Sequence, residues 1–197
     1  YVAPRSMSDR VFGVDNEANH LVLLCKNRKG YENLCKLVSL AFIDGFYSKP
    51  RVDMALLEQY HEGLIALSAC LAGAIPQRIL GEDYQGAKEY ALKLAQMFGE
   101  GNFYLELQDH GIEEQKQVNR GVMRLARETG LPLVVTNDAH YLRKEDARMQ
   151  DVLMCIQMGK TVDDEHRMKF QTEEFYLKSE DEMRQLFPNC EEAIENT

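Results

Sequence analysis

Short, continuous apolar runs alternate along the chain with longer stretches in which apolar residues recur every three or four positions. His20-Leu21-Val22-Leu23-Leu24-Cys25 is the first run, the pattern of a strand buried in a parallel sheet. Asn27 to Gly30 reads as a turn, and Leu34, Leu37, Val38 and Phe42 then place one apolar stripe on a helix over 31–42. Gly45 to Pro50 breaks that pattern, and a short helix over 52–60 follows, with Asp53 as its cap. Leu64-Ile65-Ala66-Leu67 predicts a second strand, ending at Ser68-Ala69-Cys70. A helix over 75–80 has Pro76 in its first turn, where proline is tolerated. A longer amphipathic helix over 83–98 is carried by Ala87, Tyr90, Ala91, Leu94 and Phe98.

Phe103 to Leu107 is the third strand, ending at Gln108-Asp109-His110-Gly111. A helix over 113–129 is closed by Gly130 and Pro132. Leu133-Val134-Val135 is the fourth strand and runs into Thr136-Asn137-Asp138-Ala139-His140. Helices over 145–158, 180–187 and 191–197, with Phe175-Tyr176-Leu177 as an edge strand, complete the pattern. Strands alternating with helices predict an α/β fold with a parallel sheet or barrel. In such folds, site residues gather at the C-terminal ends of strands. Three of these strands end in chemically capable residues: Cys70, Asp109 with His110, and Asp138 with His140.

The length of 197 residues suits one domain with at most a short appendage. A chain 45% hydrophobic and 28% charged has globular proportions, which exclude disorder, collagen and coiled coil as the main class. No run approaches the ~20 apolar residues of a membrane span, and the opening lacks the charged-then-apolar order of a signal peptide. A first residue Tyr1 rather than Met is expected of a piece cut from a longer chain. The net charge of −9 argues against a surface that grips DNA everywhere. Residues 161–197 carry 11 acids and 4 bases, whereas 1–160 carry 21 acids and 19 bases. The expected division is therefore a near-neutral body over 1–160 and an acidic extension over 161–197. That acidity is either a solvated face or a surface that docks on another domain.

Five widely spaced cysteines with no C-x-x-C suit a reducing cytoplasm better than a disulfide framework. Cys25, Cys35 and Cys155 lie in apolar runs and read as small core residues, and Cys190 lies in a loop. No H-x-x-x-H or other local metal signature occurs, so any site is assembled from distant segments. Asp138 and His140 are two apart after a strand and point the same way, either toward a shared ion or as a pair capping the next helix. Cys70 is a filler or a ligand; His20 is a ligand or a half-buried histidine bonded to a carbonyl; His110 lies in a turn sequence where exposure is common. Thiolate, imidazole and carboxylate together are a zinc-competent set. A metal ion beside a phosphate ester activates water for hydrolysis. G-x-S-x-G, a Gly-rich phosphate loop and a dinucleotide fingerprint are all missing, which counts against serine hydrolases, NTPases, kinases and dehydrogenases.

Many segments in one order carry a resemblance. They include His20-Leu-Val-Leu-Leu-Cys-Lys-Asn27, Gly30-Tyr-Glu-Asn-Leu-Cys-Lys-Leu-Val-Ser39 and Gly45-Phe-Tyr-Ser-Lys-Pro-Arg51. Gly63-Leu-Ile-Ala-Leu-Ser-Ala-Cys-Leu-Ala-Gly73, Leu105-Glu-Leu-Gln-Asp-His-Gly111 and Thr136-Asn-Asp-Ala-His-Tyr-Leu-Arg-Lys-Glu-Asp146 continue it. Gly159-Lys-Thr-Val-Asp-Asp164, Phe175-Tyr-Leu-Lys-Ser179 and Glu195-Asn-Thr197 complete it. Over nearly its whole length the chain resembles the PHP (polymerase and histidinol phosphatase) domain of bacterial replicative DNA polymerase III alpha subunits, leading toward the palm.

The resemblance implies a distorted (β/α)7 barrel, here partial, with a short extension toward the polymerase core. It places metal ligands on His20, Cys70, Asp138 and His140, with His110 and Asp109 supporting them from behind. Some family members have lost ligands at the positions of Cys70 and His140; both are present here, so the chain looks metal-competent. Zinc, or manganese or another divalent ion, is the implied cofactor, with magnesium for the parent polymerase. The family's first ligands and first barrel strands are expected upstream of Tyr1, and the polymerase carboxylates downstream of Thr197, so an incomplete metal complement and no polymerisation are expected of this chain alone. The implied parent is a cytoplasmic DNA-directed DNA polymerase, a nucleotidyltransferase. Its implied partners are DNA, a sliding clamp and a separate proofreading subunit, with no membrane. The domain itself is implied to be structural or a metal-dependent phosphoesterase, such as a 3′–5′ exonuclease. The alternative is a free-standing PHP phosphoesterase acting on a small molecule.

Overall fold

The computed structural model describes residues Tyr1 to Thr197. Four strands take up the predicted runs: β1 (Val22–Cys25), β2 (Leu64–Leu67), β3 (Phe103–Leu107) and β4 (Leu133–Val135). Between β1 and β2 lie α1 (Arg28–Ile43) and α2 (Met54–Tyr60). Between β2 and β3 lie α3 (Ala74–Leu80) and α4 (Tyr84–Phe98), and α5 (Glu113–Thr129) joins β3 to β4. After β4 come a 3-10 turn at Lys144–Asp146, α6 (Ala147–Met158), α7 (Glu180–Leu186) and α8 (Glu191–Glu195). The strands form one open sheet in the order β1-β2-β3-β4.

Local chemistry accounts for most boundaries. Asn27 accepts a hydrogen bond from the Gly30 N–H, which starts α1 three residues earlier than the apolar stripe alone suggests. Asp53 caps α2 through the Leu56 N–H and Asp83 caps α4 through the Gly86 N–H. Gly130 ends α5 in the left-handed conformation. The 3-10 turn takes up the start of the helix predicted over 145–158.

The pairing departs from expectation at the first strand. β2, β3 and β4 are parallel, with Ala66 opposite Phe103 and Leu107 opposite Val135, but β1 runs antiparallel to β2, with Val22 opposite Leu67. As an edge strand it is covered on one side only, so Leu24 and Cys25 are exposed rather than buried. Cys35 lies on the solvent side of α1 and is exposed as well, and only Cys155 of the three apolar-run cysteines is buried. Phe175 to Leu177 makes a single bridge, Tyr141 to Tyr176, instead of an edge strand.

The alternation of the central strands separates two environments. Leu64, Ala66, Phe103, Leu105 and Leu107 belong to the apolar core with Ile75 and Ile79 of α3, Leu94 and Phe98 of α4, and Val122 and Leu125 of α5. Met183, Phe187 and Ala193 of the terminal helices join the same core. Between the core-facing Leu105 and Leu107 stands Glu106, followed in the same phase by Gln108. The polar residues therefore converge on one region, around the C-terminal ends of β2, β3 and β4.

Candidate functional site

The antiparallel β1 resolves an oddity of the sequence. His20 begins its strand, whereas Cys70 follows the end of another. Because β1 runs against β2, the start of β1 lies beside the end of β2, and the His20 N–H donates to the Ala72 carbonyl at 2.9 Å. The two side chains meet, with Cys70 Sγ 3.4 Å from His20 Nδ1. Burial, ahead of the Lys49 ammonium, pushes the His20 imidazolium down in pKa, and burial pushes the Cys70 thiol up. Both groups are held in their neutral forms near pH 7.

A cavity of about 300 Å³ opens here, and His20, Cys70, Glu106, Gln108 and Asp138 all line it. Asp138 comes from the turn after β4, where its φ of 44° is left-handed, a conformation that aspartate tolerates better than most residues with a Cβ. His140 Nε2 lies 3.7 Å from Asp138 Oδ1 and packs on Phe170 and Phe175, with ring centroids 4.8 and 5.6 Å away. The structure thus makes two pairs, His20 with Cys70 and Asp138 with His140, and Asp138 reaches the cavity of the first pair. Neither Asp138 nor His140 caps a helix.

His110 is not the exposed turn histidine its local sequence suggests; it is 1% exposed. Its Nε2–H donates to the Asn137 carbonyl at 2.7 Å, and its Nδ1 accepts from Gln115 Nε2 at 2.7 Å. Phe175 stacks on its ring at 4.0 Å. With both ring nitrogens used and its pKa lowered by burial, it is a neutral prop under the residue that precedes Asp138. Asp109 accepts from the Gly111 N–H at 2.8 Å and shapes the same turn.

Glu106 is the site residue the sequence reading passed over. It is 5% exposed, and burial raises its pKa against the opposing effect of three hydrogen bonds. Its signal is a lone carboxylate inside Phe-Tyr-Leu-Glu-Leu, an otherwise apolar strand. Gln108 donates to it and is left with Oε1 buried and unpartnered beside the cavity.

The donor chemistry suits a zinc-type ion: imidazole, thiol and carboxylate on the walls of one cavity, with an unpaired amide oxygen among them. As arranged, no three His, Cys, Asp or Glu side chains converge on one point. A larger cavity of about 770 Å³, between the end of α5 and α8, is lined by Cys190, Glu191 and Glu192 but by no histidine.

The PHP domain family model matches residues 2–110, more than half of the chain. The chain belongs to the PHP domain family. Residues His20, Cys70, Glu106 and His110 fall inside the matched span, and Asp138 and His140 follow it. The chain is 48% identical over 198 residues to the DNA polymerase III subunit alpha of Treponema pallidum, covering 100% of this chain and 17% of that protein. It is 49% identical over 178 residues to that of Borreliella burgdorferi, covering 90% and 15%. To that of Thermus aquaticus it is 45% identical over 202 residues, covering 100% and 16%. The chain spans about a sixth of the length of these relatives. No helix of this PHP domain is long and apolar enough to cross a membrane.

Proposed function

We propose that this chain serves as the PHP domain of a bacterial replicative DNA polymerase, a cytoplasmic enzyme of template-directed DNA synthesis. The observation that carries the reading is likeness over the full chain, including 111–197 beyond the PHP match, to polymerase alpha subunits. In this reading the open sheet is part of a distorted barrel, 1–160 is its body, and 161–197 is the extension toward the polymerase core. The parent would grip DNA mainly through parts outside this chain and would work with a sliding clamp and a proofreading subunit.

The domain's own role is metal binding. His20, Cys70, Asp138 and His140 would hold zinc, manganese or a related ion, with His110 and Asp109 setting the backbone behind them. The four are a partial set, and residues outside this sequence would complete it. When bound, such an ion supplies charge neutralisation at a phosphodiester and an acidified water. This chain's residues hold and orient: the His20–Cys70 pair on one wall, Asp138 on the other. The first reading is structural: the bound ion stabilises the barrel, which offers a docking face to a proofreading subunit. The second reading, a 3′–5′ exonuclease or other phosphoesterase, is favoured by the cavity at the strand ends, where such sites lie.

Metal analysis and a nuclease assay on the full natural protein separate the two. Asp138→Asn and His140→Ala are each expected to lower metal affinity by more than about tenfold. Loss of metal and of thermal stability with no nuclease activity in the parent protein is the structural outcome. Metal-dependent release of 3′ nucleotides, abolished by both variants while polymerisation persists, is the enzymatic one. Unchanged metal content in both variants refutes the ligand assignment.

A further inference from the structure

Glu106 makes more structural connections than any other polar residue at the cavity. Its Oε2 accepts from the Ala69 N–H at 2.9 Å, and its own N–H donates to Ser68 Oγ at 2.8 Å. Its Oε1 accepts from Gln108 Nε2 at 2.8 Å and from the Thr136 hydroxyl. Ala69 immediately precedes Cys70 and has a φ of 65°, a left-handed conformation that costs a residue with a Cβ and needs outside support. Thr136 lies two residues before Asp138, whose φ is also positive. One carboxylate on β3 thus holds the turn after β2 and the end of β4.

We propose that Glu106 is a positioning residue, whose carboxylate locks the turn bearing Cys70 to the strand end that leads to Asp138. Its Oε1 accepts from two protein donors and its Oε2 from a third, so the carboxylate is engaged from both sides by the turns it joins. A buried carboxylate is expensive to place in an apolar strand, and a clamp across three strand ends accounts for its presence there. Glu106→Gln should preserve the clamp. The amide oxygen still accepts from Ala69, and the new NH2 can donate to the Thr136 hydroxyl, whose own proton turns away, and to Gln108 Oε1 once that amide turns over, so the links to both turns persist. Glu106→Ala removes every side-chain connection.

The test uses the full natural protein. In the metal-free state, the alkylation rate of Cys70 by iodoacetamide is followed by peptide mass spectrometry, with exposed Cys25 and Cys35 as internal references. Glu106→Ala is expected to speed Cys70 several-fold relative to them, and Glu106→Gln to leave the ratio near its starting value. In the second arm, which rests on the metal-binding reading above, Co²⁺ is titrated and the thiolate-to-cobalt charge-transfer band is recorded. Glu106→Ala should weaken Co²⁺ binding about 10–100-fold while Glu106→Gln stays close to the parent. Thr136→Val removes one arm and should shift both readouts in the same direction by less, which decides the matter if Glu106→Ala does not fold. Loss of Co²⁺ binding by Glu106→Gln as large as that by Glu106→Ala would make Glu106 a ligand and overturn the proposal. Unchanged Cys70 rates in Glu106→Ala or, if it does not fold, in Thr136→Val would overturn it too. If the parent protein shows no cobalt–thiolate band, the metal reading fails and the Cys70 rates still decide the clamp.

Discussion

Tyr176 and Glu182 show how strongly single contacts set ionisation in this domain. The Tyr176 hydroxyl donates to Glu182 Oε1 at 2.6 Å, and Glu182 also accepts from the Ser179 N–H and hydroxyl. The hydrogen bond to Glu182 pushes Tyr176 up to about 12, and the bond from Tyr176, then those from Ser179, bring Glu182 down to about 2. The phenol keeps its proton longer in the fold than in the unfolded chain, so its contribution is complete below about pH 10 and lost as pH rises toward 12. The carboxylate loses its proton earlier in the fold, so its contribution is complete above about pH 4 and lost as pH falls toward 2. Ultraviolet titration of the phenols should lose its most alkaline component in Tyr176→Phe; an unchanged curve contradicts the pairing. At this scale the sequence was uneven. Asp53 was legible as a cap because capping is local. Glu106 carried a visible signal, while the burial of His110 carried none, since Phe175 and Asn137 reach it from distant segments.

Among the elements, α1 depends most on a close approach. Gly30, in its first turn, lies against Gly63, and a Cβ at Gly30 would be driven into the Gly63 carbonyl oxygen. The same junction is held by Asn33 Nδ2, which donates to the Glu62 carbonyl at 2.9 Å. Backbone cannot retreat as a flexible side chain does, so Gly30→Ala is expected to cost more than about 2 kcal/mol by urea denaturation. A change within about 0.5 kcal/mol, the range of ordinary surface substitutions, would contradict this packing. Helix periodicity was legible for α1 and α4 because each buries one stripe, and α5 was legible from the Gly130 and Pro132 that close it. The orientation of β1 was not, since an apolar run reads alike in either direction.

For the whole molecule, the question is how 161–197 belongs to the body. By charge it stands apart, but Met183, Phe187 and Ala193 pack into the main core. Asn196 and Thr197 also donate to the carbonyls of Leu133 and Val135 on β4, at 2.8 and 2.6 Å. An acidic outer face and an apolar inner face are compatible in one segment that docks on the body. Phe187→Ala should therefore lower the stability of the entire domain by about 3–5 kcal/mol, in one transition seen alike by circular dichroism and near-ultraviolet signals. A separate early transition with the main one unmoved would show 161–197 to be an independent unit.

The sequence by itself determined the α/β class, the place of the four strands of the sheet though not that Phe175 to Leu177 makes only a bridge, the residues that follow those strands and the family. These follow from period, capping chemistry and ordered motifs, all local along the chain. Tertiary structure alone decided that β1 is antiparallel and half-exposed, that His20 meets Cys70, that His110 is a buried prop and that Glu106 joins three strand ends. Each of these depends on which strand lies beside which and in what direction, a choice made by burial of the whole sheet.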